Sequence, residues 1–204
     1  MITIVDYGLG NVRALSNLYK RLNIPARTAS TAAELTGATR VILPGVGAFD
    51  HAMELLDASA MRPVLDDLVL VRKVPVLGIC VGMQMLADGS DEGRLPGLGW
   101  VPGRVRSFRS TPASAALPMP HMGWNDVHAS VLGVLFAGLE TDARFYFLHS
   151  FYFDCADPAH RAATASYGVD FACAVRRDHV FGVQFHPEKS HHWGENLLKN
   201  FAEH

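Results

Sequence analysis

Cysteine is scarce in this chain. Cys80, Cys155 and Cys173 are the whole complement of three, an odd number with no CxxC pair and no zinc-type Cys/His spacing. That argues against a disulfide-stapled fold or a structural zinc site and points to a reducing compartment, the cytoplasm. An excess of charge of either sign is also lacking. The 18 Lys and Arg stand against 20 Asp and Glu, for a net charge of −2. Such a balance leaves no electrostatic footprint for nucleic acid or an anionic membrane surface. No apolar run is long enough to span a bilayer. The opening, MITIVDYGLG, sets no basic segment ahead of an apolar one, so no leader is expected. Internal repeats are absent. A dinucleotide fingerprint is absent too: GLGNVR carries Arg13 where the third glycine belongs, and no acidic residue ends the second strand.

What the chain does have is 204 residues, 49% hydrophobic and 19% charged, enough for one well-cored domain over residues 1–204. Its first half alternates. ITIVD, ARTAS, RVILPG and VPVLGI read as strands. Between them, NVRALSNLYKRL places Val12, Leu15, Leu18 and Leu22 at helical spacing, and AFDHAMELL sets Phe49, Met53 and Leu56 on one face. MRPVLDDLVLV continues helically after a break expected at Pro63. Near-continuous apolar strands separated by helices predict an α/β fold, an open twisted sheet, mostly parallel and flanked by helices. The second half differs. GRVRSF, RFYFLHSFYF, AATASYG, FACAVRR and VFGVQF follow one another with short polar breaks and predict an antiparallel or mixed extension of that sheet. RSTPASAALPMP reads as a surface loop. Trp193, Leu197 and Phe201 make the stripe of a closing helix.

Chemistry points first to Cys80, at the junction of VPVLGI with a short apolar helix. A residue at a strand-to-helix elbow stands above the carboxyl edge of the sheet, where open α/β sheets bind ligands. Gly78 and Gly82 flank it at two positions each way, as in a Gly-x-Ser-x-Gly elbow, because side chains there would strike neighbouring backbone. The helix N-terminus favours a thiolate, and its free N–H groups, starting at Val81, point where an oxyanion would form. A buried structural cysteine is the plain alternative.

A thiol nucleophile needs a base. Among ten histidines, His186 in VQFHPEKS ends an apolar strand with Glu188 two residues on. Pro187 favours extended backbone at His186 and stops the strand. Two positions apart in extended chain, both side chains point the same way, so Glu188 can orient one ring nitrogen and leave the other to the thiol. ILPGVGAF follows the third strand, and Gly45 and Gly47 free the backbone around Val46 for a second oxyanion N–H. His191 and His192 are adjacent, about 100° apart on a helix, which suits a solvated face rather than a metal. HMGWN and YFLHSFY hold chemistry-capable residues to which spacing gives no role.

GICVGMQ, FHPEKS and PGVGAF together resemble the class I glutamine amidotransferases, whose Cys-His-Glu triad hydrolyses glutamine. DYGLGN, PHMGWN, YFLHSFY and the Lys189 of HPEKS make the finer pattern similar to one branch, the glutaminase subunits of imidazole glycerol phosphate synthases in histidine biosynthesis. The likeness runs from residue 2 to about residue 201. It implies Cys80 as nucleophile, His186 as base and acid, and Glu188 as orienter, with Val46 and Val81 as oxyanion donors. It implies Gln84 and Glu92, with backbone of Gly47, Ser150 and Phe151, as the glutamine site. It implies a heterodimer with a (βα)8 cyclase subunit near Asn11, Trp124, Tyr146 and Lys189, and no cofactor or metal. The chain departs from the pattern at Phe151, where many relatives carry Tyr, at His-His-Trp after Ser190, and in a longer STPASAALP loop. Without the resemblance, a cysteine hydrolase or peptidase of similar architecture stays open, as does a binding module on the same fold.

Overall fold

A computed structural model describes residues 1–130 and 133–204. The chain runs β1 (Ile2–Val5), α1 (Val12–Arg21), β2 (Ala26–Ala29), α2 (Ala32–Leu35), β3 (Val41–Gly45), α3 (Phe49–Ala58), α4 (Arg62–Asp66), β4 (Val76–Cys80) and α5 (Val81–Gln84). It continues through β5 (Gly89–Ser90), β6 (Gly103–Ser107), α6 (Pro112–Ala115), β7 (His121–Asp126), β8 (His128–Ala129), β9 (Arg144–His149), β10 (Phe151–Cys155), β11 (Arg161–Ser166), β12 (Asp170–Arg177), β13 (Val180–Val183) and α7 (His191–Glu203).

The main sheet has the order β2-β1-β3-β4-β13-β12-β10-β6-β5, with β11 on β12 and β8 on β11. From β2 to β13 every pairing is parallel. Every residue of β1, β3, β4 and β13 is buried, which is why these runs are apolar on both faces: helices cover the sheet on each side. β12 then turns antiparallel to β13, β10 and β11, giving the mixed extension expected of the second half.

Three local expectations are corrected. The helical break lies at Ala60, which takes φ +58°, and not at Pro63. Pro63 sits in the first turn of α4, where its missing N–H has no intrahelical partner to lose. RFYFLHSFYF is not one strand: β9 leaves the main sheet and pairs with β7 in a separate two-stranded sheet, while β10 returns to the main one. Residues of RSTPASAALPMP form a short turn and α6, and Ser114 is buried there, its hydroxyl donating to the Phe108 carbonyl.

The small sheet alternates. Met122, Trp124 and Asp126 of β7 lie opposite Leu148, Tyr146 and Arg144 of β9, and Met122 is 65% exposed, Trp124 41% and Leu148 37%. The opposite face buries His121, Phe145, Phe147 and His149. The parallel strands, by contrast, all point their carboxyl ends at one edge, and that edge carries the site.

Candidate active site

Cys80 ends β4 and takes φ +56° and ψ −115°. A non-glycine residue in that region costs about 1–3 kcal/mol and persists only where its surroundings hold it. The surroundings are backbone. A Cβ at Gly82 would stand 1.9 Å from the Leu43 carbonyl oxygen of β3, and one at Gly78 would stand 2.6 Å from the Gly82 oxygen. The elbow therefore closes against its neighbour strand only with glycine at both places, as the flanking pattern predicted. Helix α5 is a single turn, so the field at Cys80 comes from a few free N–H groups and not from a long macrodipole.

β3 and β4 pair in parallel with Gly45 opposite Cys80. That register brings the residue after each strand, Val46 and Val81, to the cleft that Cys80 lines. The cleft measures about 310 Å³. Gly47, also on its wall, holds φ +87° in open space, so the demand there is conformational.

His186 follows β13 and lines the same cleft as Cys80. Its Nδ1 meets the Glu188 Oε1 at 2.9 Å, and the two side chains are 4% and 2% exposed. The sequence reading had both residues extended. His186 is (φ −101°, ψ 95°), but Pro187–Lys189 is a 3-10 turn, and it is the turn that folds the carboxylate back on the ring. Burial pulls the His186 pKa down. The neighbouring Cys80 and the bonded Glu188 carboxylate together outweigh burial and lift it to about 9. The Glu188 carboxyl moves the other way. Burial raises it, but the bond and charge of His186 and the Asn11 amide hold it below the usual carboxylate range. Protonated His186 thus rests on a buried carboxylate at neutral pH and faces the cleft that Cys80 lines, as a base serving a thiol nucleophile would.

The remaining expected site residues gather around this group. Gln84, Glu92, Ser150 and Phe151 all line the cleft. The Gln84 Nε2 donates to the Phe151 carbonyl at 3.3 Å and to the Gln184 Oε1 at 3.0 Å. Glu92 accepts the free Phe49 N–H at the start of α3 at 2.9 Å. Ser150 and Phe151 form the hinge at which the chain passes from the small sheet to the main one.

The four residues expected at a partner surface divide. Trp124 and Tyr146 are edge to face at 6.4 Å on the outward side of the small sheet, and the Lys189 ammonium lies 5.7 Å from the Tyr146 ring. Asn11 does something else: its Nδ2 donates to the Glu188 Oε1 at 2.7 Å. It braces the Glu188 carboxylate across 177 residues of chain. His191 stacks on Trp124 with planes 10° apart, and His192 lies against Trp193. Among the described residues no group of His, Cys, Asp and Glu is placed to hold a metal, and no helix is long and apolar enough to cross a membrane.

Sequence reasoning missed two sets of residues. Gln184, fully buried, points its Nε2 at the Cys80 sulfur at 3.8 Å. A polar residue inside an apolar strand end was its one signal. Ser190 accepts the Tyr146 N–H at 3.0 Å and donates to the His186 carbonyl at 2.6 Å, while the His186 N–H donates to the Tyr146 carbonyl at 2.9 Å. The turn carrying His186 is thereby laced to β9.

Comparison with known proteins gives a consistent answer. A family model described as Glutamine amidotransferase class-I matches residues 3–204. The protein named imidazole glycerol phosphate synthase subunit HisH from Bdellovibrio bacteriovorus is 66% identical over 203 residues, covering 100% of both chains. Its namesake from Leptospira interrogans is 50% identical, covering 99% of both. A solved structure titled as a glutamine amidotransferase superposes with a TM-score of 0.77 at 20% identity, over 99% of this chain and 97% of that one. That likeness bears on the fold alone.

Proposed function

This chain belongs to the class-I glutamine amidotransferase family, and on that premise we propose that it is the glutaminase subunit of an imidazole glycerol phosphate synthase. It hydrolyses L-glutamine and delivers the ammonia to a cyclase subunit in histidine biosynthesis. Relatives of that name at 66% and 50% identity over nearly the whole chain support the assignment. Residues 1–204 act as one amidotransferase domain, in a heterodimer, in the cytoplasm. Three cysteines kept as free thiols suit that compartment.

The single observation that carries the chemistry is the buried His186–Glu188 pair, whose histidine shares the cleft wall with Cys80. The Cys80 thiolate attacks the side-chain carboxamide carbon of glutamine. The oxyanion that develops is met by the N–H groups of Val46 and Val81. Protonated His186 gives its proton to the departing nitrogen, and ammonia leaves with formation of a glutamyl thioester. Neutral His186 then takes a proton from water, which attacks the thioester, and the second tetrahedral species collapses to glutamate and free Cys80. Glu188 keeps the imidazole in the required orientation throughout and balances its charge. Gln84, Glu92 and the backbone at Gly47, Ser150 and Phe151 hold the amino-acid end of the substrate. No step calls for a metal or cofactor.

The cyclase seats on the outward face of Trp124, Tyr146 and Lys189. Exposed Met122 and Leu148 on the same face support that reading, since a contiguous apolar patch marks an interaction surface. Tyr146 is bonded through its backbone to His186 and Ser190, so a partner resting on it touches the base through two hydrogen bonds. The test is glutamate release by the chain alone, with its cyclase, and with cyclase plus the nucleotide ligand, beside Cys80→Ala. The reading predicts stimulation in the full mixture, abolished in Cys80→Ala. No release in any mixture overturns the assignment. Release indifferent to the cyclase keeps the chemistry and overturns the pathway.

A further inference from the structure

His149 has no part in the chemistry above, yet its buried ring lines the same cleft as Cys80 and His186. Its hydrogen bonds can be assigned one after another. The Asn125 Oδ1 accepts the Asp126 N–H at 2.9 Å, which fixes the amide so that its Nδ2 donates to the Ser166 carbonyl at 2.9 Å and faces the His121 Nε2 at 3.2 Å. The His121 Nε2 is therefore an acceptor, and its proton resides on Nδ1. That N–H donates to the His149 Nε2 at 2.9 Å. The His149 proton must then be on Nδ1, from which it donates to the Phe151 carbonyl at 2.7 Å. The result is a one-way relay, Asn125 to His121 to His149 to Phe151.

The end of the relay is the point of interest. The Phe151 carbonyl also accepts the Gln84 Nε2 at 3.3 Å, so its two lone pairs are both filled from inside the protein. Gln84 in turn donates its second Nε2 hydrogen to Gln184. His149 thus sets the peptide plane at the hinge between the two sheets and, through it, the orientation of the Gln84 amide. His121 is itself fixed, stacked between Tyr167 at 4.1 Å and Phe147 at 4.9 Å.

We propose that His149, backed by His121, is a positioning residue for the substrate: it holds the Ser150–Phe151 wall and the Gln84 amide in the geometry that takes the amino-acid end of glutamine. The inference rests on the glutaminase reading given above. The relay requires both rings neutral, since a second proton on His149 would set donor against donor. Burial chiefly keeps them so, bringing His149 to about 3 and His121 to about 4. The wall therefore stays in one hydrogen-bonded state over the whole range in which the triad works. A core histidine that merely fills space would share the burial. It would not share the effect on substrate.

The experiment uses the complex with the cyclase and its nucleotide ligand. His149→Phe keeps a ring and loses the donor; His149→Asn restores a donor at the Nδ1 position. Losing one buried donor raises KM for glutamine about tenfold in His149→Phe, with kcat changed by less than about threefold, and His149→Asn recovers most of the loss. Alkylation of Cys80 by iodoacetamide, which needs the triad but not the glutamine wall, proceeds at the native rate in both. His121→Leu, which unpins the ring without touching the cleft, gives a smaller rise in KM and serves if His149→Phe fails to fold. A folded His149→Phe, or His121→Leu in its place, with native KM overturns the proposal. So does a loss shared by kcat and alkylation, which marks general distortion. A native complex that releases no glutamate overturns the glutaminase reading itself, and this inference with it.

Discussion

Replacing Glu188 by Gln tests the electrostatics of the triad directly. The variant keeps the side chain's shape and an oxygen for the His186 N–H, and deletes one charge. In the native protein His186 is lifted from 6.5 to about 9 against the pull of burial, by Cys80 and Glu188 together. At ~1.4 kcal/mol per pH unit that lift corresponds to about 3 kcal/mol, shared between Cys80 and Glu188. A folded value above the unfolded one means the stabilisation is complete below about pH 6.5 and is lost as pH rises through 9. In Glu188→Gln burial has less to oppose it, and His186 falls toward or below its ordinary value. The gap in melting temperature between the two proteins is then widest near pH 6.5 and narrows toward pH 9.5. For a domain of this size 1–2 kcal/mol amounts to about 3–6 °C. A further part of the gap does not vary with pH: the new Nε2 replaces Glu188 Oε2, a buried atom with no partner, and an unsatisfied donor costs about 1–3 kcal/mol. Thermal unfolding at pH 6.5, 8 and 9.5, with the His186 ring titrated by NMR, reads both parts. A gap constant across that range, or a native His186 that titrates below 7, refutes the reasoning.

Two further substitutions probe the frame of the site. Gly82→Ala forces a methyl onto the Leu43 carbonyl at 1.9 Å. Overpacking of that kind costs about 1–3 kcal/mol and moves β3 off the elbow; both the melting temperature and the rate of Cys80 alkylation fall, and a native alkylation rate would show that the elbow tolerates a side chain. Asn11→Ala removes the 2.7 Å donor from Glu188 and lowers stability by about 1.5–3 kcal/mol. Asn11→Asp, which sets a second carboxylate against the first, is worse than Ala above pH 6. Equal stability of the two variants in thermal melts would mean that the contact is not formed in solution.

The parallel half of the fold was legible because burial on both faces leaves no choice of residue. RVILPG and VPVLGI can be little other than central strands. The second half was legible as strands but not as an arrangement. RFYFLHSFYF is uninterrupted by Gly or Pro, and its division at Ser150 into two sheets is decided by partners far away, β7 for one part and β6 for the other. Pro63 misled for the opposite reason. Its local meaning changes with position, and one residue inside the start of a helix it interrupts nothing.

The same distinction governs the site. Cys80, Gly78, Gly82, His186 and Pro187 carry constraints imposed on the backbone within a few residues, and such constraints are written in short spacings. Asn11, Gln184 and His149 act through side chains whose partners the tertiary fold supplies. Asn11 meets Glu188 from the other end of the chain, and His121 meets His149 only because β7 and β9 pair in the register that sets them opposite. Even the His186–Glu188 pair, read from an extended spacing, is made by a turn. The elbow and the base are thus local features that a sequence can announce. What orients the base and shapes the pocket depends on the packing of strands that are remote in sequence, and it becomes visible only when donors and acceptors are traced one by one through the folded chain.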